Sequence, residues 1–140
     1  MRVPALRPGL AAVVLFVSAI AALAQDGAPT LDCGKATAQP DLNDCAYREY
    51  EAEDAALNAE YRKALAKARA LDDEYEGQPA AADALKSAQR AWIGYRDGQC
   101  VLAGFQARGG QAEAMLVSGC LAELTRNRTQ ELREFVEREG

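Results

Sequence analysis

From Leu42 onward, apolar side chains recur at steps of three, four and seven, and only two short breaks interrupt the pattern. That period belongs to a helix with one buried stripe and is incompatible with the alternation of a half-buried strand. The first run holds Leu42, Ala46, Tyr50, Leu57, Tyr61, Leu65, Ala68 and Leu71, and Gly77 and Pro79 end it. Asp41 is its expected N-cap, with Asp44 three residues on, near the positive helix end. The second run starts near Ala80 and aligns Leu85, Ala88, Trp92, Cys100 and Ala103, before Gly109-Gly110 breaks it. The third carries Val117, Cys120, Leu121, Leu124, Leu132 and Phe135. Short connections between helices of this length favour antiparallel neighbours. The expected fold is therefore all-α, a three-helix antiparallel bundle over residues 41–138. An irregular arm, residues 25–40, rich in Gly, Pro, Thr and Asp, precedes it.

The N-terminus reads as an address. Arg2 and Arg7 precede the uncharged stretch Leu10 to Ala24, which ends in Ala22-Leu23-Ala24. A basic start, an apolar middle and a small-x-small end make a secretory signal. Residues 1–24 are thus expected to be removed on export, which places the product in the periplasm or medium with no membrane attachment. Cys33 follows Thr30-Leu31-Asp32, which lacks the small residues of a lipidation site. Of 140 residues, 116 would remain; 16 basic residues less Arg2 and Arg7 leave 14 against 21 acidic ones, a net charge of −7. Such an acidic chain is unsuited to nucleic acid, where phosphate neutralisation supplies the affinity.

Four cysteines, Cys33, Cys45, Cys100 and Cys120, lie in the exported part. An even number in a small exported chain argues for two disulfides, and the absence of any C-x-x-C pair argues against zinc knuckles and thioredoxin-like chemistry. Around Gly109-Gly110 a hairpin sets Cys100 and Cys120 level, ten residues either side of position 110. Cys100–Cys120 is favoured on this ground, leaving Cys33–Cys45 to pin the arm onto the first helix. Pairing of Cys45 with Cys100 or Cys120 stays open. The bridges matter because the core is thin: 23 of the 116 residues are alanine, which favours helix but buries little surface. A loop the size of that closed by Cys100–Cys120 contributes about 3 kcal/mol through the unfolded state.

Polar side chains interrupt the apolar rows. Asp54 and Asn58 fall within Tyr50, Leu57, Tyr61; Gln89 and Arg96 align with Trp92 and Cys100; Arg128 lies between Leu124 and Leu132. A charge turned inward is costly unless paired and hydrogen-bonded. Asp54 is accordingly expected to reach Arg96, whose planar fork suits a carboxylate, with Asn58 and Gln89 satisfying the remaining groups. This cluster reads as a structural network that sets helix register, so that removing Asp54 should unfold the domain.

Little points to catalysis. Histidine is absent, which excludes an imidazole base and any His-ligated metal. Carboxylates are plentiful at Glu51, Glu53, Asp54, Glu131 and Glu134, yet no pocket-forming loop accompanies them. Ser87 and Ser118 lack a nucleophile-elbow context, and Gly109-Gly110 lacks phosphate-loop spacing. No enzyme, metal or cofactor is expected. One surface feature is notable: Asp72, Asp73, Glu74 and Glu76 surround Tyr75 at the end of the first helix, where negative charge opposes the macrodipole. They form a candidate landing site for a basic protein, with Tyr75 as anchor.

The assembled pattern resembles the lysozyme inhibitor LprI family of small exported bacterial helical domains. Its carriers are Cys33, Asp41-Leu42-Asn43-Asp44-Cys45-Ala46, Asp54, Leu57-Asn58 and Tyr61. The most specific run is Ala88-Gln89-Arg90-Ala91-Trp92-Ile93-Gly94-Tyr95-Arg96-Asp97, closed by Cys100, and Gly109-Gly110, Cys120, Leu124-Thr125 and Arg128 complete it. The resemblance implies an envelope protein that blocks a basic lysozyme or other muramidase by binding it, or else an envelope interaction module with another partner. It implies no catalytic residues. The founding type is lipid-anchored, a feature this sequence lacks.

Overall fold

The computed structural model describes residues 31–75 and 80–138. The expected leader, the first residues of the arm and Glu76 lie outside the described residues. Three helices follow one another: α1 (Gln39–Glu74), α2 (Ala81–Gly104) and α3 (Glu113–Glu137), with a single 3₁₀ turn at Phe105–Ala107 after α2. No strand occurs among the described residues. The all-α bundle read from the periodicity is borne out, as are both bridges.

Cross-helix pairs give the directions. Asn43 Nδ2 donates to the Gln111 carbonyl at 3.0 Å, Arg126 binds Glu49 and Glu53, and Lys67 Nζ donates to the Val136 carbonyl at 3.1 Å. Positions along α1 and α3 thus rise together, and these two helices run parallel. The helix between them runs the other way, with Gln89 beside Arg128 on one side and Arg96 beside Asp54 on the other. The chain goes up, down and up again. Contact between α1 and α3 is the most extensive, and that between α1 and α2 the least.

Helix α1 begins two residues before the expected cap. Ala38 occupies the N-cap and Pro40 the first turn, where the fixed φ of proline suits the helix and its missing N–H costs no bond. Asp41 sits inside that turn, its charge favourable at the positive helix end. Ahead of the helix, Asp32 folds a turn by accepting from the Gly34 and Lys35 amides, both at 3.0 Å. Cys33–Cys45 fastens this turn to α1 with a Cα–Cα distance of 5.6 Å.

Between α2 and α3, Gly109 adopts φ 76°, which favours glycine, and Gly110 N donates to the Ala107 carbonyl at 2.8 Å. The Glu113 carboxylate closes the turn, accepting from the Gly109 amide at 2.8 Å and from Arg108 at 2.7 Å. Behind it, Cys100–Cys120 joins the helices with a Cα–Cα distance of 5.3 Å. Gly104 lets α3 come close: a Cβ there would stand 2.6 Å from Val117 Cγ2.

The core is small. Leu57, Ala64 and Leu132 form its buried centre, ringed by the partly buried Tyr61, Leu85, Trp92, Phe135 and Val136. Ala68, Ala82 and Ala122 fill the remaining close contacts. Ala88, expected in the core row of α2, is exposed, whereas Gln89, Arg96 and Cys100 face inward as their alignment with Trp92 suggested. The bridge explains the difference. Once Cys100 is fixed against α3, residues four and eleven before it must share its side of the helix.

Candidate functional site

Where α1 and α2 diverge, a groove of about 300 Å³ opens, lined by apolar Leu57, Tyr61 and Ile93 and by polar Asp54, Asn58, Gln89 and Arg96. Lys86 and Arg90 stand along it as well. All but one of the polar residues singled out in the sequence therefore meet at one place. Arg128 joins through Gln89, donating Nε to its Oε1 at 3.1 Å.

Arg96 is the centre of the arrangement. Its residue is 7% exposed, and the guanidinium lies between two rings, 5.1 Å from the centre of Trp92 and 5.5 Å from that of Tyr50. Stacking of this kind compensates a desolvated cation. Nε donates to Asp97 Oδ1 at 2.8 Å, and Nη1 reaches Asp54 Oδ1 at 3.4 Å. Asp97, the adjacent residue in sequence, is thus the nearer partner. Burial pushes the Tyr50 hydroxyl pKa above its usual value, with Arg96 pulling the other way and Asp54 and Asp97 adding to the rise.

Asp54 keeps 38% of its side chain exposed, and Asn58 is exposed. Asn58 Nδ2 donates to Asp54 Oδ2 at 2.8 Å and to the Asp54 carbonyl at 2.9 Å, so it orients the carboxylate from the solvent side. Gln89, only 8% exposed, serves Arg128, and Arg128 Nη1 also meets Glu131 at 2.6 Å. Two small networks result, Tyr50–Asp54–Asn58–Trp92–Arg96–Asp97 and Gln89–Arg128–Glu131, where the sequence suggested one. Among the described residues Asp54 is the only carboxylate lining the groove, and Asn58 and Arg96 both hold it. Among the described residues no three side chains of metal-ligating type gather.

The acidic segment divides. Asp72 turns toward α2 and accepts from the Ala81 and Ala82 amides, the latter at 3.1 Å. It neutralises the open N–H groups at the start of a helix whose N-cap, Ala80, offers no side-chain bond. Asp73, Glu74 and Tyr75 are exposed. A hydrogen bond to Glu74 raises the Tyr75 pKa.

Sequence reasoning missed three polar positions. Glu60 is buried at 6%, meeting Lys63 at 3.0 Å; the step Leu57, Glu60, Ala64, Ala68 places it on the buried row. Arg126 clamps Glu49 and Glu53 at 2.6 and 2.9 Å, which raises its pKa. Thr125 is fully buried, and its hydroxyl has no hydrogen-bond partner.

This pattern of residues matches a known family over residues 33–132, that of Lysozyme inhibitor LprI. The chain belongs to the lysozyme inhibitor LprI family. The matched stretch holds α1, α2, most of α3 and both disulfides, and the polar networks lie wholly within it. An uncharacterized protein of Rhizobium meliloti (strain 1021) is 60% identical over 113 residues, covering 78% of this chain and 81% of its own length. No solved structure matches the chain. Among the described residues of this LprI-family chain, no helix is long and apolar enough to cross a membrane.

Proposed function

We propose that this LprI-family chain is an exported inhibitor that binds a basic lysozyme or other muramidase in the periplasm or medium, and that it acts by docking and not by catalysis. The family match over residues 33–132 carries the reading. Charge supports it. The whole chain carries a net −5, and loss of the leader makes it more acidic, which suits encounter with a cationic enzyme. The two disulfides suit an oxidising compartment outside the cytoplasm.

The docking contact is assigned to the exposed end of α1, where Asp73 and Glu74 present charge and Tyr75, 55% exposed, supplies a rigid aromatic anchor. Asp72 is occupied in holding α2 and contributes to the local field only. Titrating a basic lysozyme into the protein by calorimetry, at low and at physiological salt, tests the proposal. Saturable binding that weakens with salt, and weakens further in Asp73→Asn/Glu74→Gln/Tyr75→Ala, is expected. Absence of binding at both salt concentrations would overturn it, leaving an envelope module with another partner. Binding unaffected by the triple substitution would move the contact elsewhere.

A further inference from the structure

A second groove joins the one between α1 and α2. It has a volume of about 430 Å³ and shares Asp54 and Asn58 with the first, adding Tyr47, Tyr50 and Glu51. The two make one trough along α1, where steps of three and four keep Tyr47, Tyr50, Asp54, Asn58 and Tyr61 in line. From Tyr47 to Tyr61 the helix rises about 21 Å. Such a shape suits an extended chain better than a compact molecule.

Rings and planar polar groups share the trough. At one end Tyr47, half exposed, stands 6.3 Å from the Tyr50 ring at a tilt of 59°. At the other, Tyr61 lies with Ile93, which is 40% exposed. Between them is unspent hydrogen-bonding capacity. Gln89 gives its Oε1 to Arg128, Arg96 uses Nε and Nη1, and Asn58 uses Nδ2. Among the described residues Gln89 Nε2, Arg96 Nη2 and Asn58 Oδ1 have no partner, yet the one enclosed orphan is Thr125 Oγ1. The three atoms therefore keep an outlet, and the trough is the opening that their residues line. Gln89 and Arg96 are more than nine-tenths buried, so they have little other surface to offer.

Charge narrows the ligand. Arg96 is met by Asp97 and Asp54, and Lys86 by Asp83 at 3.0 Å. Arg90 and Glu51, also on the lining, offset each other in sum. Little net field is left to draw an ion, although the chain as a whole carries −5. What fits is a neutral ligand with apolar faces and groups that both donate and accept, and the hydroxyl is such a group. We propose that the trough binds a linear, uncharged oligosaccharide of pyranose units. The C–H face of a pyranose packs on a tyrosine ring, and its rim hydroxyls meet the amides, the carboxylate and the guanidinium. The length has room for roughly four rings end to end. The trough shares no residue with the contact at Asp73, Glu74 and Tyr75, so each proposal can fail without the other.

Calorimetric titration of the oxidised protein with chitotetraose, cellotetraose, tetragalacturonate and glucose tests this. Chitotetraose or cellotetraose should bind saturably with a Kd below about 1 mM, at least about tenfold tighter than glucose and with no dependence on salt. A preference for chitotetraose adds the acetamido group to what the trough reads. Tyr47→Ala/Asn58→Ala, both at exposed positions, should raise that Kd by about fivefold or more with the helical spectrum unchanged. Asp73→Asn/Glu74→Gln/Tyr75→Ala should leave it unaltered. No saturation by either neutral tetrasaccharide at about 10 mM overturns the proposal, as does a Kd equal to that of glucose. Binding of tetragalacturonate alone overturns it too, because the ligand is then an anion. Saccharide binding that survives Tyr47→Ala/Asn58→Ala removes it from the trough, and lysozyme binding lost in that variant, with no saccharide bound, gives the trough to the enzyme.

Discussion

The Arg96 guanidinium stands 5.1 Å from the centre of the Trp92 ring, one turn back along the same helix. The charge is thereby held over an aromatic surface on its own helix before any partner from α1 is counted. Asp97 supplies the short ion pair, and Asp54 the longer one that crosses to α1. Arg96→Ala removes the packing of Tyr50 and Trp92 and frees both aspartates, and should cost about 2–4 kcal/mol. Asp54→Ala, with that side chain over a third exposed, should cost no more than about 1 kcal/mol and leave the domain folded. Urea unfolding of the two variants checks the order. This revises the sequence expectation that loss of Asp54 unfolds the chain.

Thr125 carries an unpartnered hydroxyl at a fully buried site, while its carbonyl accepts from Thr129 Oγ1 at 2.9 Å. Thr125→Val keeps the shape and removes the group that lost its water. It should be neutral or stabilising by up to about 1 kcal/mol in urea unfolding, whereas Thr125→Ser should destabilise through the lost methyl.

The two bridges differ in exposure: Cys33 is exposed, whereas Cys100 is fully buried. Mild reductant should open Cys33–Cys45 first, with a small fall in Tm, and Cys100–Cys120 only under partly unfolding conditions, with a large one. Loss of the second bridge removes about 3 kcal/mol, a substantial fraction of a small domain's stability. Thiol trapping followed by peptide mapping, alongside thermal melts, reads both steps.

Much of this architecture was legible in the chain. The helical period, the glycine breaks and the level spacing of Cys100 and Cys120 led to the bundle and its bridges, and an arginine in an apolar row led to Arg96. What stayed hidden has physical reasons. Alanine occurs on both faces of each helix, so it cannot mark which side is buried; Ala88 was placed inside although it faces solvent. The capping role of Asp72 depends on where α2 starts in space, a tertiary fact that an acidic run does not announce.

Glu113 ties the turn between α2 and α3, and its pKa is lowered by the Gly109 amide first and by Arg108 second. A carboxylate depressed in the folded state adds stability that is complete above the ordinary glutamate value and is lost as pH falls through the lower folded one. The turn should therefore loosen only in acid. Protection of the Gly109 amide against exchange, measured by NMR relative to the intrinsic rate at each pH, should fall below the usual glutamate range, and Glu113→Gln should remove that pH dependence.

The central claim is that this chain restrains a muramidase by occupying it. Clearance of labelled cell walls by a basic lysozyme, with increasing amounts of the oxidised protein, tests it most directly. The account predicts that clearance falls toward zero in proportion to the inhibitor added and that the protein alone releases no label. Undiminished clearance at large excess, or label released by the protein itself, would contradict it.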